Sequence, residues 1–553
     1  MRVLPPHVRP GGVGGALTPH AGVAVLATNT WAAIQGRAAL RPTIKWEIGP
    51  NHNYDSKEYR LDLEGATVSP GKVVRSKGDV AAAFAQTTTF VEASYYVPHL
   101  AQAPMEPPVA VVLVKGPRVE AWAPTQDPVA TRDAIARAVF DIPDSEWDLA
   151  NTEAIREKVT LHVTLLGGSF GRKLHPDFAV EAAYLAKLNP GVPIRVQWTR
   201  EDDIKFSYYN GVSSQYLKAA LDEDGHPAAL LQRSAFTSFS ATFIPESKRT
   251  AFQGIDYPYG SAVERAEGLE DMPFDVPNLR IENCQARNYI RVGCMRSAAN
   301  IYHAFGIGSF ADELAIAAGR DSKDYLLELI GKGRVLPLAA EGVGRYYNNG
   351  FPVEAIEAPV GGQLVEIEPA YPPDTGRLRA VIARVAKEAG WDEKKGKLPK
   401  RRGLGIAAHR SRLSYMALAI DVSFDETGEL TVHEIHSALD CGLAVNLDRV
   451  KAQMEGGIIY GLSLALFGEI TVEKGTVVQK DFNDYPVWRM TRTPKIFVVI
   501  VPSAEPPTGA GELSTPVVAP ALANAIVAAG GPRIRDLPFC KRVAVAGYRS
   551  TLP

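Results

Sequence analysis

The sequence predicts an α+β chain built from several mixed α/β subdomains, and three observations carry that expectation. With 553 residues, 46% of them apolar and 22% charged, the chain is long enough for roughly three to five compact units that need no disulfide or metal staples. Short β-branched runs bounded by Pro, Gly or charge alternate with segments of helical period. A Pro/Gly-rich stretch over 332–375 separates two halves of different patterning.

The elements follow in order. Residues 21–48 read as a strand GVAVLA, a helix TWAAIQGRAALR and a strand TIKWEI, after which GPNHNYDSKEYR reads as a polar loop. TTTFVEASYYVP, PPVAVVLVKG and RVEAWAP are strand candidates. DPVATRDAIARAVF is a helix with Asp127 as N-cap ahead of Pro128. KVTLHVTLL is a strand feeding the loop GGSFGRK, PDFAVEAAYLAKL continues as a helix, and IRVQWTREDD is the next strand. Residues 204–290 are rich in Ser, Pro and aromatics and predict mixed structure with long loops. Two amphipathic helices with terminal glycines follow over 300–331. The second half opens on the helix GRLRAVIARVAKEAG and a basic turn, KKGKLPKRR. It continues with a hairpin around Asp-Glu-Thr-Gly, a helix from about Leu447 to Leu466 and a last helix VVAPALANAIVAAGG.

Composition narrows the function. A formal charge of −2 gives no electrostatic footprint for nucleic acid. The four cysteines, Cys284, Cys294, Cys441 and Cys540, form no CxxC pair, so no zinc or iron-sulfur site is expected in this chain. No stretch approaches the ~18 apolar residues of a membrane span. The segment MRVLPPHVRPGGVGG has arginines but no apolar run, so it predicts no leader and reads as chain entered partway through a domain. Localisation stays open between cytoplasm and periplasm.

Five features can carry chemistry, and each also has a plain reading. GGSFGRK fails the Walker pattern, because Gly167 to Gly171 is one residue short and Leu174 stands where Ser or Thr would meet magnesium. Its glycines can still bring backbone N–H groups close to an anion at a helix start, or simply make a tight turn. Glu512, in GAGELSTP, is a helix-start carboxylate or a general base in a confined site. Arg296, after Met295 in VGCMRSAAN, is a semi-buried ion-pair partner or a phosphate ligand. Gln453 lies on a helix with Gly456, Gly457 and Gly461, small residues that suit close packing or a site. Thr125 and Gln126 in APTQDP serve most simply as turn and cap. Histidines do not cluster and no HExxH occurs, and serine-hydrolase chemistry finds no support.

In their order along the chain, MEPP, APTQDP, GGSFGRK, QWTREDD, RVGCMRSAAN, DCGLAVN, QMEGG and GAGELSTPVVAPALANAI resemble the molybdenum-binding large subunit of the xanthine oxidase and aldehyde oxidase family. The isoquinoline 1-oxidoreductase beta-subunit-like branch is the nearest resemblance, over nearly the whole chain. It implies that the cofactor lies at the interface of the subdomains. It also implies that Gln126, Gly168, Ser169, Phe170, Gly171, Met295, Arg296, Gln453 and Gly511 bind molybdopterin, in its cytosine dinucleotide form with molybdenum, and that Glu512 is the catalytic base. The activity implied is hydroxylation of an aldehyde or N-heteroaromatic carbon with water as oxygen source. Electrons would pass to a small subunit holding two-iron, two-sulfur clusters. Arg172 and Lys173 would be solvated or partner-facing.

The resemblance further implies a division into residues 1–70, a remnant of an N-terminal hammerhead-like α/β domain, and 71–335, a first cofactor-binding domain. A connector, 336–375, and a second cofactor-binding domain, 376–553, complete it. Leu174 replaces the Glu of purine-oxidising relatives, which disfavours xanthine. The MGQG loop and Gly-Ser-rich section of the branch have no counterpart, so another polypeptide is expected to supply them unless the chain is a truncated product. The competing expectation is a non-catalytic scaffold that has lost the cofactor.

Overall fold

The computed structural model describes residues 2–4, 22–46, 49–142, 147, 149–240, 258–343, 347–348, 351–352, 356–360, 363–367, 371–545 and 548. Three sheets organise them. In the first half, a five-stranded sheet runs in the spatial order Lys72–Lys77, Asn278–Cys284, Pro227–Phe236, Ser213–Leu221 and Phe90–Val97, with a single parallel pair between Asn278–Cys284 and Pro227–Phe236. A four-stranded sheet beside it orders Val159–Val163, Arg118–Ala123, Val109–Lys115 and Ile194–Gln197. The second half is built on Arg402–Ser411, Ser414–Phe424, Glu429–Asp440 and Lys495–Ile500.

Helix Pro128–Phe140 begins as its sequence dictates, with the Asp127 carboxylate accepting from the N–H of Ala130 and Pro128 in the first turn. The hairpin Ser414–Phe424/Glu429–Asp440 turns at Asp425 to Gly428, where Gly428 takes a φ of 85° and Asp425 accepts from the N–H of Thr427 and Glu429.

Helix Ser514–Ala528 is the centre of the second half. It packs on Arg402–Ser411, on Ser414–Phe424 and on helices Asn300–Ala317 and Leu447–Phe467. Gly403 and Gly405 permit this, because a Cβ there would stand 2.2 Å from Ala529 N and 2.1 Å from Ala525 N. Val517, Val518, Leu522 and Ile526 are fully buried on it, each worth roughly 1.5–3 kcal/mol of apolar transfer.

Some expectations are corrected. TIKWEI forms no strand over its described residues; a 3-10 turn, Arg41–Thr43, leads into extended chain, and Glu47 and Ile48 lie outside the described residues. The polar loop holds the start of a helix, Ser56–Val68, whose N-cap Asp55 accepts from Lys57 and Glu58 N–H. Its amphipathic face packs on Ser213–Leu221 and Pro227–Phe236, strands left unnamed when 204–290 is read as mixed structure with long loops. The strand IRVQWTREDD stops at Gln197, because Thr199 and Asp202 form a capping box that starts helix Arg200–Lys205. The last helix starts at Ser514, three residues earlier than its apolar run.

Candidate cofactor and catalytic site

The strand Val159–Val163 delivers the Gly-rich loop, whose path needs glycine: φ is 87° at Gly168 and 102° at Gly171. A Cβ on Gly171 would stand 2.3 Å from the carbonyl oxygen of Cys294. Phe170 also has a left-handed φ, 55°, and stacks on Tyr460 with ring centroids 4.2 Å apart. Gln126 binds the loop from the side, its side-chain oxygen accepting from Ser169 Oγ and, at 3.2 Å, from Gly171 N. Ser169 Oγ accepts in turn from Lys173 N at 2.7 Å.

Gly167 to Gly171 spells GxSxG, a hydrolase pattern that the sequence reading passed over. The Ser169 hydroxyl is buried and spent on Gln126 and Lys173 N, and the nearby His175 accepts from Cys294 N at 3.1 Å, so no nucleophile–base pair exists there.

Arg172 and Lys173 are fully buried, which corrects their expected solvation. Arg172 pairs with Asp177 at 2.8 Å and lies over the Trp198 ring at 4.7 Å. Lys173 pairs with Glu106 of the MEPP segment, which also accepts from Gly167 N at 3.1 Å. Both cations therefore staple the loop from its buried side.

The turn at 292–300 meets this loop where Arg296 N donates to Phe170 O at 2.9 Å. Ser297 and Ala298 follow with φ of 78° and 43°, non-glycine conformations that cost about 1–3 kcal/mol each and gather at functional sites. Met295 turns its side chain into the core. The buried Arg296 guanidinium donates from Nη2 to Gln453 O at 2.8 Å and to Gln453 Oε1 at 3.3 Å. Its Nε is buried without a hydrogen-bond partner among the described residues. Burial pulls this guanidinium below its usual range, with the Glu512 charge opposing. Gly457 leaves room for it, since a Cβ there would lie 2.8 Å from Nη2.

Glu512 sits just ahead of helix Ser514–Ala528, its carbonyl accepting from Ser297 Oγ at 2.7 Å. The carboxylate, 32% exposed, accepts from Arg412 Nε, while Arg412 Nη1 lies 2.7 Å from the buried Glu267. Burial works against the Arg412 charge, but Glu267 and Glu512 together hold it above its usual range. Burial also pushes the Glu267 carboxyl up to about 7, with Arg412 opposing. Arg412 and Leu413 form the two-residue turn between Arg402–Ser411 and Ser414–Phe424, at φ of 49° and 69°. Asn-Gly is the inexpensive choice for such a turn, and non-glycine residues there cost roughly 1–2 kcal/mol each.

The ten residues singled out in sequence thus lie along one contact line: Gln126 on the Gly-rich loop, the loop on the 292–300 turn, Arg296 on Gln453, and Ser297 on Glu512. The line borders open space on one side. Gln126, Gln453 and Gly511 are exposed, and a Cβ on Gly511 would touch nothing within 4 Å. The open Gly511, the exposed side-chain amides of Gln126 and Gln453 and a buried arginine with a spare donor fit a large, polyanionic pterin cofactor. Arg412 and Glu267 were missed; the only signal was an Arg-Leu pair where strand alternation reverses.

Two family models, both described as molybdopterin cofactor-binding domains, match residues 67–325 and 379–494, together well over half of the chain. The isoquinoline 1-oxidoreductase subunit beta of Brevundimonas diminuta is 29% identical over 97% of this chain and 61% of that protein. A membrane-bound aldehyde dehydrogenase [pyrroloquinoline-quinone] of Gluconacetobacter polyoxogenes is 28% identical over 93% of this chain and 62% of that protein. The chain therefore spans about three fifths of the length of these relatives. The crystal structure of quinoline 2-oxidoreductase from Pseudomonas putida 86 superposes with a TM-score of 0.63 at 13% identity, over 85% of this chain and 78% of that one, which shows the shared fold. With two cofactor-binding domains in sequence and the large-subunit architecture in structure, the chain belongs to the molybdenum-binding subunits of the xanthine oxidase family.

Proposed function

We propose that this chain is the catalytic, molybdopterin-binding part of a hydroxylase that acts on an aldehyde or an N-heteroaromatic carbon and takes its oxygen from water. The observation that carries this reading is the unbroken contact line from Gln126 to Glu512, which joins an anion-suited loop to a solvent-reachable carboxylate. When bound, the molybdenum cofactor supplies the two-electron redox centre. The chain's own residues do the rest. The Gly-rich loop, Gln126 and the exposed Gln453 side chain hold polar edges of the pterin, in its cytosine dinucleotide form, and the spare Nε–H of Arg296 meets its negative charge. Glu512 accepts the proton released as water-derived oxygen is transferred to the electron-poor carbon. Leu174 brings no carboxylate to the pocket, which favours aldehydes and simple heteroaromatics over purines.

The two electrons leave through a small subunit with two-iron, two-sulfur clusters. The four cysteines form no CxxC pair, and no group of three or more metal-ligating side chains occurs among the described residues. No described helix is long and apolar enough to cross a membrane. A further section of protein, from this polypeptide or another, completes the cofactor pocket. Support comes from apolar side chains left in the open beside the Gly-rich loop: Met105 is 62% and Leu165 95% exposed. The division at 71–335 and 376–553 is the organisation we propose for cofactor binding, in keeping with the ranges of the matched domains.

Molybdenum and pterin analysis of the chain purified with its co-expressed neighbours tests the proposal. Stoichiometric metal and a Glu512→Gln variant slowed by about 100-fold or more are expected. Metal far below stoichiometry in the assembled complex would sink it.

A further inference from the structure

We propose that Arg412 is the positioning residue for Glu512, and that Glu267 is the buried anchor that keeps Arg412 in place; this rests on Glu512 being the base.

Three independent features of the geometry converge on Arg412. It holds the Glu512 carboxylate through Nε and reaches Glu267 through Nη1, so one rigid guanidinium plane spans two carboxylates that lie 245 positions apart in sequence. Glu267 is itself fixed: its other oxygen accepts from Ala299 N at 2.9 Å, and its carbonyl accepts from His303 Nδ1 at 2.8 Å. The backbone at Arg412 is the second feature. A left-handed two-residue turn in which neither residue is glycine persists only where its surroundings over-determine it.

Those surroundings are the third feature, because they belong to the Glu512 loop. Gly509 N donates to Arg412 O at 3.1 Å, and Ser414 Oγ donates to Gly509 O at 2.6 Å. A Cβ on Gly509 would lie 2.7 Å from Arg412 Cβ. The first glycine of GAGE is thus what lets the hairpin tip dock, and the docking brings Arg412 to Glu512. The arrangement aims one carboxylate oxygen at Arg412 and leaves the other for a proton. Charged and titratable groups around it are Glu267 and Glu264, Cys294 and Arg296 on the facing turn, and Glu512 itself.

The test is a set of variants in the full chain produced with its partners: Glu512→Gln, Arg412→Met, Arg412→Lys, Glu267→Gln and the double Arg412→Met/Glu512→Gln. Arg412→Met is expected to lower kcat by about 100-fold, as a misplaced catalytic group does, while KM and molybdopterin content hold. Arg412→Lys should recover part of that loss and Glu267→Gln should show part of it. In the Glu512→Gln background, Arg412→Met should add nothing to the loss in kcat. A readout without turnover accompanies these: in thermal unfolding of the cofactor-free chain, Arg412→Met and Glu512→Gln should be non-additive, as for residues in direct contact. A slow Glu512→Gln combined with an Arg412→Met that keeps its kcat, or that slows both backgrounds equally, overturns the role of Arg412. Wild-type turnover of Glu512→Gln overturns the base assignment instead, and the unfolding cycle then still reports whether the two side chains are coupled.

Discussion

Arg296 N donates to Phe170 O at 2.9 Å, and this backbone bond joins the Gly-rich loop to the turn that carries the buried arginine. The two segments meet at Gly171, whose missing side chain is filled by the Cys294 carbonyl.

Gly171→Ala should therefore separate them. The new methyl has both a φ of 102° and a carbonyl 2.3 Å away to overcome, a destabilisation of about 3 kcal/mol from backbone and clash together. Molybdenum content is expected to fall along with the thermal midpoint. Metal retained at wild-type level in a destabilised variant would detach the loop from cofactor binding.

Arg296→Met keeps the stem and removes the donors. Because the Arg296 Nε has no hydrogen-bond partner among the described residues and its charge is disfavoured by burial, the cofactor-free protein should lose little stability or even gain some. Pterin retention, followed by fluorescence of the released pterin, should drop sharply. Equal retention in the two proteins would remove Arg296 from the cofactor's contacts.

Arg172→Met should have the opposite profile. It leaves the fully buried Asp177, which Arg172 meets at 2.8 Å, with only the longer 3.8 Å approach of Arg291, and breaking such a buried pair costs about 3–5 kcal/mol. Chemical denaturation of the cofactor-free chain measures it; a loss under about 1 kcal/mol would mean the pair contributes no more than a surface bridge.

Glu267 makes stability pH-dependent in a known direction. Its carboxyl is pushed from 4.5 up to about 7 in the folded chain, so between those values the folded state holds more protons than the unfolded one. Its contribution is present below pH 4.5 and is lost as pH rises toward 7. Relative to wild type, Glu267→Gln should thus gain stability as pH rises across that window. Unfolding midpoints whose difference stays constant with pH would contradict this.

Much of the architecture was legible because its causes are local. Asp127 before Pro128 writes a helix start, and Asp425 to Gly428 writes a turn, without help from the rest of the chain. The hairpin Ser213–Leu221/Pro227–Phe236 was equally local. Asp222 to Gly225 repeats the Asp-x-x-Gly signal, with Gly225 at a φ of 79°, but the aromatic and Ser-rich surroundings obscured it. The candidate site was legible as motifs. Arg412 and Glu267 were not, because their placement comes from segments that meet only in the folded chain: a hairpin tip, the turn after a short helix and the start of a distant helix. The burial of Arg172 and Lys173 was hidden for the same reason, since Asp177, Trp198 and Glu106 decide it.

The contact line draws Phe170 and Arg296 from one half of the chain and Gln453, Glu512 and Arg412 from the other. That line is thus a seam, and its integrity gauges how well the halves are docked. Because one apolar core also runs across that seam, denaturant that loosens it should release cofactor, so loss of metal becomes an early sign of unfolding, no later than the change in secondary structure.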